Sequence, residues 1–220
     1  LGLHRRDHPH HAARHHQFQR GFAAVVLAAV QRELDEGAAV HRQGEAVELV
    51  ELVGQGVAGA VIGEEEQLAQ ADLVVGLAVM QTLRELGIVT AGLKWPNDVL
   101  VGEKKIAGIL LELVGDPADV CHVVLGVGIN VNMREANEVD QQWTSMHLEA
   151  GRAYDRNRLV AHLSGVLGKY LMRHQSEGFS ALQAQWEHSH LWQGRSVSLI
   201  AGVNRIDGVV VGIDAQGALR

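Results

Sequence analysis

Leu73, Leu77, Met80 and Leu83 recur at helical spacing, with Arg84 and Glu85 to one side and Gly87 as a stop, so this stretch predicts a core-facing helix. Residues 99–101 and 106–113 are rich in branched side chains, and Gly102 to Lys104 between them supply turn chemistry, which predicts a hairpin. Residues 120–125 read as the next strand. Over residues 156–174, Leu159, His162, Val166 and Tyr170 share a helical face with Leu163, Leu167 and Leu171, and Asp155 stands where an N-cap belongs. Residues 181–188 predict a shorter helix. After Gly194 the pattern changes to short strands, "SVSLIAG" and "GVVVGIDAQGALR", as in a small β-barrel module that is expected to be incomplete at Arg220. Near the start, apolar residues crowd positions 22–34 while Gln31, Arg32 and Glu33 mark a polar edge, and a helix is expected there.

Composition narrows the function classes. The chain has 220 residues and is 47% hydrophobic, enough for a real core. Its net charge of -7 argues against a general polyanion binder, because phosphate affinity rests on clustered Lys and Arg. The longest apolar runs, 22–30 and 73–80, are far shorter than a bilayer span and neither resembles a signal peptide, so a cytoplasmic protein is expected. Cys121 is the single cysteine, which rules out an internal disulfide or a cysteine metal cage and points to small apolar packing.

Residues 1–70 stand apart. They contain no Lys, Ser, Thr, Asn, Tyr, Trp, Met or Cys. Apart from Phe18, Phe22 and Ile62, each of these residues can be written with a codon that begins with G or C. A GC-rich gene favours G or C at the third codon position, and a shifted or opposite-strand reading moves that preference to the first. The segment is therefore either read outside its gene's true frame or a natural low-complexity arm of Ala, Glu, Gln, Arg and His. His4, His8, His10, His11, His15 and His16 offer imidazoles to a transition metal, but no carboxylate or cysteine pattern completes a defined site, and adventitious binding is the expectation.

The chemistry concentrates in "AGLKWPNDVLVGEKKIAGILLEL", residues 91–113. Pro96 fixes its own φ and drives Trp95 toward an extended conformation, so residues 94–98 should form a stiff bend. Trp95 offers a flat face, Asn97 a donor and an acceptor, and Lys94 and Asp98 opposite charges. A turn stapled by a buried Trp and an ion pair would satisfy the same residues. Lys105 argues for more, because it enters an apolar strand, and Gly108 weakens that strand unless something must approach closely. Glu112 repeats the polar intrusion. In "VVLGVGINVNM", Gly126 and Gly128 allow close approach of backbone to a ligand and Asn130 can bind it where the strand ends. The third glycine and the strand-to-helix context of a dinucleotide fingerprint are missing, which excludes a Rossmann cofactor site.

Together, K-W-P-N-D at 94–98, K-x-x-G-x-L-x-E at 105–112 and G-x-G-x-N at 126–130 closely resemble biotin protein ligase in order and spacing. The resemblance runs over residues 71–220, including "QQWTSMHLEAG" and "GIDAQGAL". It implies an α/β (α+β) catalytic domain, a mixed β-sheet flanked by helices, in residues 71–192, followed by a partial SH3-like β-barrel in 193–220. It implies ATP and biotin as substrates, with Mg2+ accompanying ATP, and a biotin carboxyl carrier protein as acceptor. Lys105 would be the principal electrostatic catalyst and Asp98 would orient or deprotonate the acceptor lysine. Gly108, Gly126 and Gly128 would shape the biotin pocket, Asn97, Asn130 and Trp143 would face the adenylate, and Lys94 and Trp95 would support the bend.

Departures from that pattern matter. Upstream of K-W-P-N-D the family carries a D-S-T-N-like segment for biotin and a G-R-G-R-x-G-R loop for phosphates, and neither occurs here. Without the loop's amides and guanidinium groups, pyrophosphate loses charge stabilisation, so this chain is expected to be inactive or severely impaired. No N-terminal winged helix or other DNA-binding module is visible, and a homodimer is compatible with the resemblance. Two alternatives stand beside it, a lipoate ligase relative sharing the adenylation logic and a non-catalytic remnant that binds partners.

Overall fold

The structure is a computed structural model that describes residues 22–29, 65–115, 121–135, 141–201 and 204–220, with backbone alone at 22–29, 65–69, 112–115, 121–124, 201 and 204. Five strands form one sheet in the order β1-β5-β4-β3-β2, made of β1 (Phe22–Ala29), β2 (Ala91–Lys94), β3 (Asp98–Val101), β4 (Lys104–Gly115) and β5 (Cys121–Asn130). Each named pair in it is antiparallel. Parallel contacts enter through single bridges, Leu93 with His190 and Lys105 with Trp143.

Position 22–29 is a strand where the pattern predicted a helix. An unbroken apolar run cannot be told from a helix by periodicity, and here β5 offers a free antiparallel edge along the full length of β1, from Phe22 opposite Asn130 to Ala29 opposite Val123. The remainder of the expected helix, 30–34, lies outside the described residues, as do the N-terminal histidines.

The sheet's core face rests on α1 (Glu65–Glu85). Beyond the predicted stripe, Val74, Val75, Ala78 and Val79 are also buried, because α1 is sandwiched between the sheet and α3 (Arg156–Glu177). Gly87 ends this region with φ 105, a conformation that favours glycine. Asp155 caps α3 as expected, its Oδ1 accepting from the N–H groups of Asn157 at 2.9 Å and Arg158 at 3.2 Å. Leu159, Leu163, Val166, Leu167 and Leu171 point inward, whereas His162 sits at the exposed margin and meets Glu85 at 2.6 Å. The short helix α2 (Met146–Ala150), capped by Ser145, and α4 (Ser180–Ser189) complete the packing.

The last part of the chain holds a two-stranded antiparallel ladder, β6 (Ser196–Ala201) with β7 (Asn204–Val209). β7 lies earlier than the expected strand starting at Gly208, and Val211 to Arg220 instead fold as a turn joined by the Ile213–Leu219 bridge. The polar side chains that masked β7 in the sequence gather on the ladder's exposed face, where Ser198 of β6 donates across to Asp207 and Arg205 Nε donates to the same carboxylate along β7 at 3.0 Å. Among the described residues no helix is long and apolar enough to cross a membrane.

Candidate active site

The site is built by one irregularity in the sheet. Asp98 pairs with Gly108 and Val99 with Ala107, but Leu100 then pairs with Lys105, so Ile106 is an extra residue on β4. In a regular ladder Lys105 would register with Val101 and share the core face of Ala107. The bulge instead lets Ile106 and Ala107 both be buried, at 0% and 2% exposure, and returns Lys105 to the face of Asp98 and Gly108.

On that face Lys105 Nζ lies 2.6 Å from Asp98 Oδ1, and Lys94 Nζ lies 3.5 Å from Asp98 Oδ2. The carboxylate thus sits between two ammonium groups, and the nearer is not its i,i+4 neighbour. The Lys105 and Asp98 side chains retain 29% and 15% exposure. A pair this open contributes about 1 kcal/mol or less, so it orients Lys105 without locking it away from an anionic ligand.

Glycines make the floor. A β-carbon on Gly108 would stand 3.0 Å from Lys105 Cε and 3.1 Å from Nζ, so the lysine lies across a space that only glycine leaves open. Gly108 registers with Gly128, and Gly126 with Leu110. A β-carbon on Gly126 would press on the Leu110 carbonyl at 3.3 Å. Leu110 is 50% exposed in mid-sheet, so this face offers an apolar floor beside a cation.

The surrounding polar residues mainly hold backbone. Asn97 Nδ2 donates to the Ile109 carbonyl at 2.8 Å, and Ile109 N–H returns a bond to Asn97 O at 2.9 Å, pinning the bend to β4. Asn130 is buried and donates to the carbonyls of Thr144 at 2.9 Å and Lys105 at 3.3 Å. Half-buried Trp143 flanks Lys105, whose N–H bonds Gln142 O at 3.0 Å and whose carbonyl accepts from Thr144 N–H at 2.9 Å. Trp95 turns away from the glycine floor, its indole Nε1 donating to Gly217 O at 3.0 Å. Lys94 Nζ also lies 5.1 Å over the Trp192 ring.

The structure therefore brings Lys105, Asp98, Lys94, Gly108, Gly126 and Gly128 to one face and ranges Asn97, Asn130 and Trp143 along its border. Of Glu112 and Cys121 only the backbone is described. His190 and Trp192, which grip the bend along the free edge of β2, carried no sequence signal. They lie about a hundred residues downstream, just past the end of α4, where no spacing links them to the bend.

A lysine and a carboxylate thus meet over a glycine-lined sheet face that also carries an exposed leucine. A family model described as the biotin/lipoate A/B protein ligase family matches residues 44–130. The chain is 41% identical over 149 residues to the bifunctional ligase/repressor BirA of Escherichia coli, covering 67% of this chain and 46% of that one. It is 38% identical over 152 residues to a biotin–[acetyl-CoA-carboxylase] ligase of Mycobacterium tuberculosis, covering 67% and 54%. Among solved structures, the Aquifex aeolicus biotin protein ligase in complex with biotin and ATP superposes with a TM-score of 0.62 at 32% identity, covering 68% of this chain and 62% of that one. The chain belongs to the biotin protein ligase family. It spans about half the length of the curated relatives it matches.

Proposed function

We propose that this chain carries the acyl-adenylate site of a biotin–carboxyl carrier protein ligase. The observation that carries the reading is Lys105 Nζ held 2.6 Å from Asp98 over the Gly108–Gly128 floor. Support comes from the family, and from a structural relative solved with biotin and ATP.

In the first step an oxygen of the biotin carboxylate attacks the α-phosphorus of ATP. A P–O bond to that carboxylate forms, the bond to the β-phosphate bridge breaks, and pyrophosphate leaves with its electrons. Lys105 supplies a cation where negative charge grows on the phosphoryl oxygens. In the second step the neutral amine of an acceptor lysine attacks the acyl carbon of the mixed anhydride, AMP leaves, and the amine loses a proton. Asp98 orients that amine or takes its proton once Lys105 turns toward the nucleotide, a role that needs hydrogen-bond reach. Gly108, Gly126 and Gly128 admit the biotin body, while Asn97, Asn130 and Trp143 border the adenylate. Magnesium accompanies ATP as its counterion. The acceptor is a biotin carboxyl carrier protein met in the cytoplasm, a homodimer is compatible with the family, and β6 and β7 belong to an SH3-like barrel.

Residues 1–70 stand where the family's biotin and phosphate segments belong, and they hold no Ser, Thr or Asn. We therefore propose that this chain is severely impaired in adenylation. The test is biotin-dependent pyrophosphate release and transfer to a carrier domain, with lipoate as competitor. Near-absent turnover is expected. Robust carrier biotinylation that disappears in Lys105→Ala would contradict the impairment, and efficient use of lipoate would overturn the choice of substrate.

A further inference from the structure

The strand leading into the Lys94–Asp98 bend has two edges, and β3 pairs with only one of them. Along the other, three consecutive residues beyond α4 grip three consecutive residues of the chain. His190 forms a parallel bridge with Leu93 and Leu191 N–H donates to Leu93 O at 2.9 Å. The Trp192 ring lies under Lys94 Nζ, and His190 Nε2 accepts the main-chain N–H of Trp95 at 3.3 Å. Gly92 makes the approach possible, because a β-carbon there would collide with the Leu191 side chain.

Trp95 sits just past the end of β2, beyond the last ladder pair of Lys94 with Asp98, and the next residue is a proline without an N–H. Its amide is thus the last N–H before the proline, and an unpaired amide at a half-buried position would cost free energy. His190 is 5% exposed and its ring stacks on Trp186 with centroids 4.8 Å apart, so the acceptor nitrogen is fixed rather than mobile. Accepting at Nε2 requires a neutral ring with its proton on Nδ1. Burial, which lowers the His190 pKa, favours that neutral form.

We propose that His190 is a positioning residue for the Asp98–Lys105 pair, acting as a neutral Nε2 acceptor for the Trp95 amide and so setting the bend from which Asp98 projects. Its consequence for ligand handling rests on the adenylate reading above, whereas its effect on the bend does not.

The test uses the full 15N-labelled chain. In the wild type, the nitrogen shifts of His190 should show an unprotonated Nε2 and a protonated Nδ1, a result that needs no variant to fold. His190→Leu removes the acceptor, and His190→Gln returns an oxygen at similar reach. Relative to the core amide of Val127, exchange at the Trp95 amide should accelerate at least tenfold in the Leu variant and stay within about threefold of wild type in the Gln variant. Biotinyl-5′-adenylate affinity should fall about three- to tenfold in the Leu variant, the size of one hydrogen bond, and recover in the Gln variant. A proton on Nε2, or equal exchange at Trp95 in both variants, would overturn the proposal. Expected exchange behaviour with no adenylate binding even in the wild type would support the role of His190 in the bend and overturn the ligand reading instead.

Discussion

A single methyl group is the sharpest probe of how Lys105 lies. Because a β-carbon on Gly108 would come within 3.0 Å of Lys105 Cε, Gly108→Ala must displace the lysine while leaving the strand backbone intact. The expected outcome is about a tenfold loss of adenylate affinity with a melting temperature within a few degrees of wild type, checked by titration calorimetry and thermal denaturation. Much of this was legible in sequence, since a lysine entering an apolar strand three residues before a glycine already suggested close approach. The partnership was not. Spacing offered Lys94 to Asp98 as an i,i+4 pair, but the shorter contact is Lys105 to Asp98, because an unforeseeable bulge turns Lys105 to the other face. Asn97 and Asn130 were legible as polar residues beside the site, yet their amide nitrogens bond backbone carbonyls, a duty that composition does not reveal.

Among the elements, α1 carries a charge in an awkward place. Asp72 lies among its buried residues, Oδ1 has no partner among the described residues, and burial pushes its pKa up to about 6. The fold favours the neutral acid, so the contribution of Asp72 is present below the ordinary carboxylate pKa and is lost as pH rises through about 6. At pH 7.5 Asp72→Asn should stabilise the protein by about 1–2 kcal/mol after allowance for solvent screening, seen as a rise of a few degrees in melting temperature. Long periodic elements were readable, as α1 and α3 show. The four-residue β2 and five-residue α2 were not, because so few positions establish no period. β1 was misread for a related reason, its uniform apolar run becoming a strand through pairing with β5.

At the scale of the whole molecule, buried imidazoles tie distant parts together. His174 Nε2 lies 3.1 Å from Gln70 Oε1, and Gln70 in turn donates to Ala215 O, two residues from the carbonyl that holds the Trp95 indole. Burial lowers the pKa of both His174 and His190, so the neutral rings stabilise the fold above the ordinary histidine pKa and that stability is lost as pH falls below about 6.5. In an Asp72→Asn background, which removes the opposing titration, the melting temperature should be level above that pH and decline below it, with a smaller decline in His190→Gln. A level profile down to pH 5 would refute the neutral, buried state of both rings.

If the glycine-floored face bearing Lys105 is a biotinyl-adenylate site, it should bind that molecule whatever the turnover of this chain. Titration calorimetry of the wild type and Lys105→Ala with biotinyl-5′-adenylate tests it most directly. Saturable binding is expected, weaker for the lipoyl analogue, with a loss of at least about tenfold in Lys105→Ala and the fold retained. Undetectable binding to the folded wild type, or equal affinity in the two proteins, would contradict it.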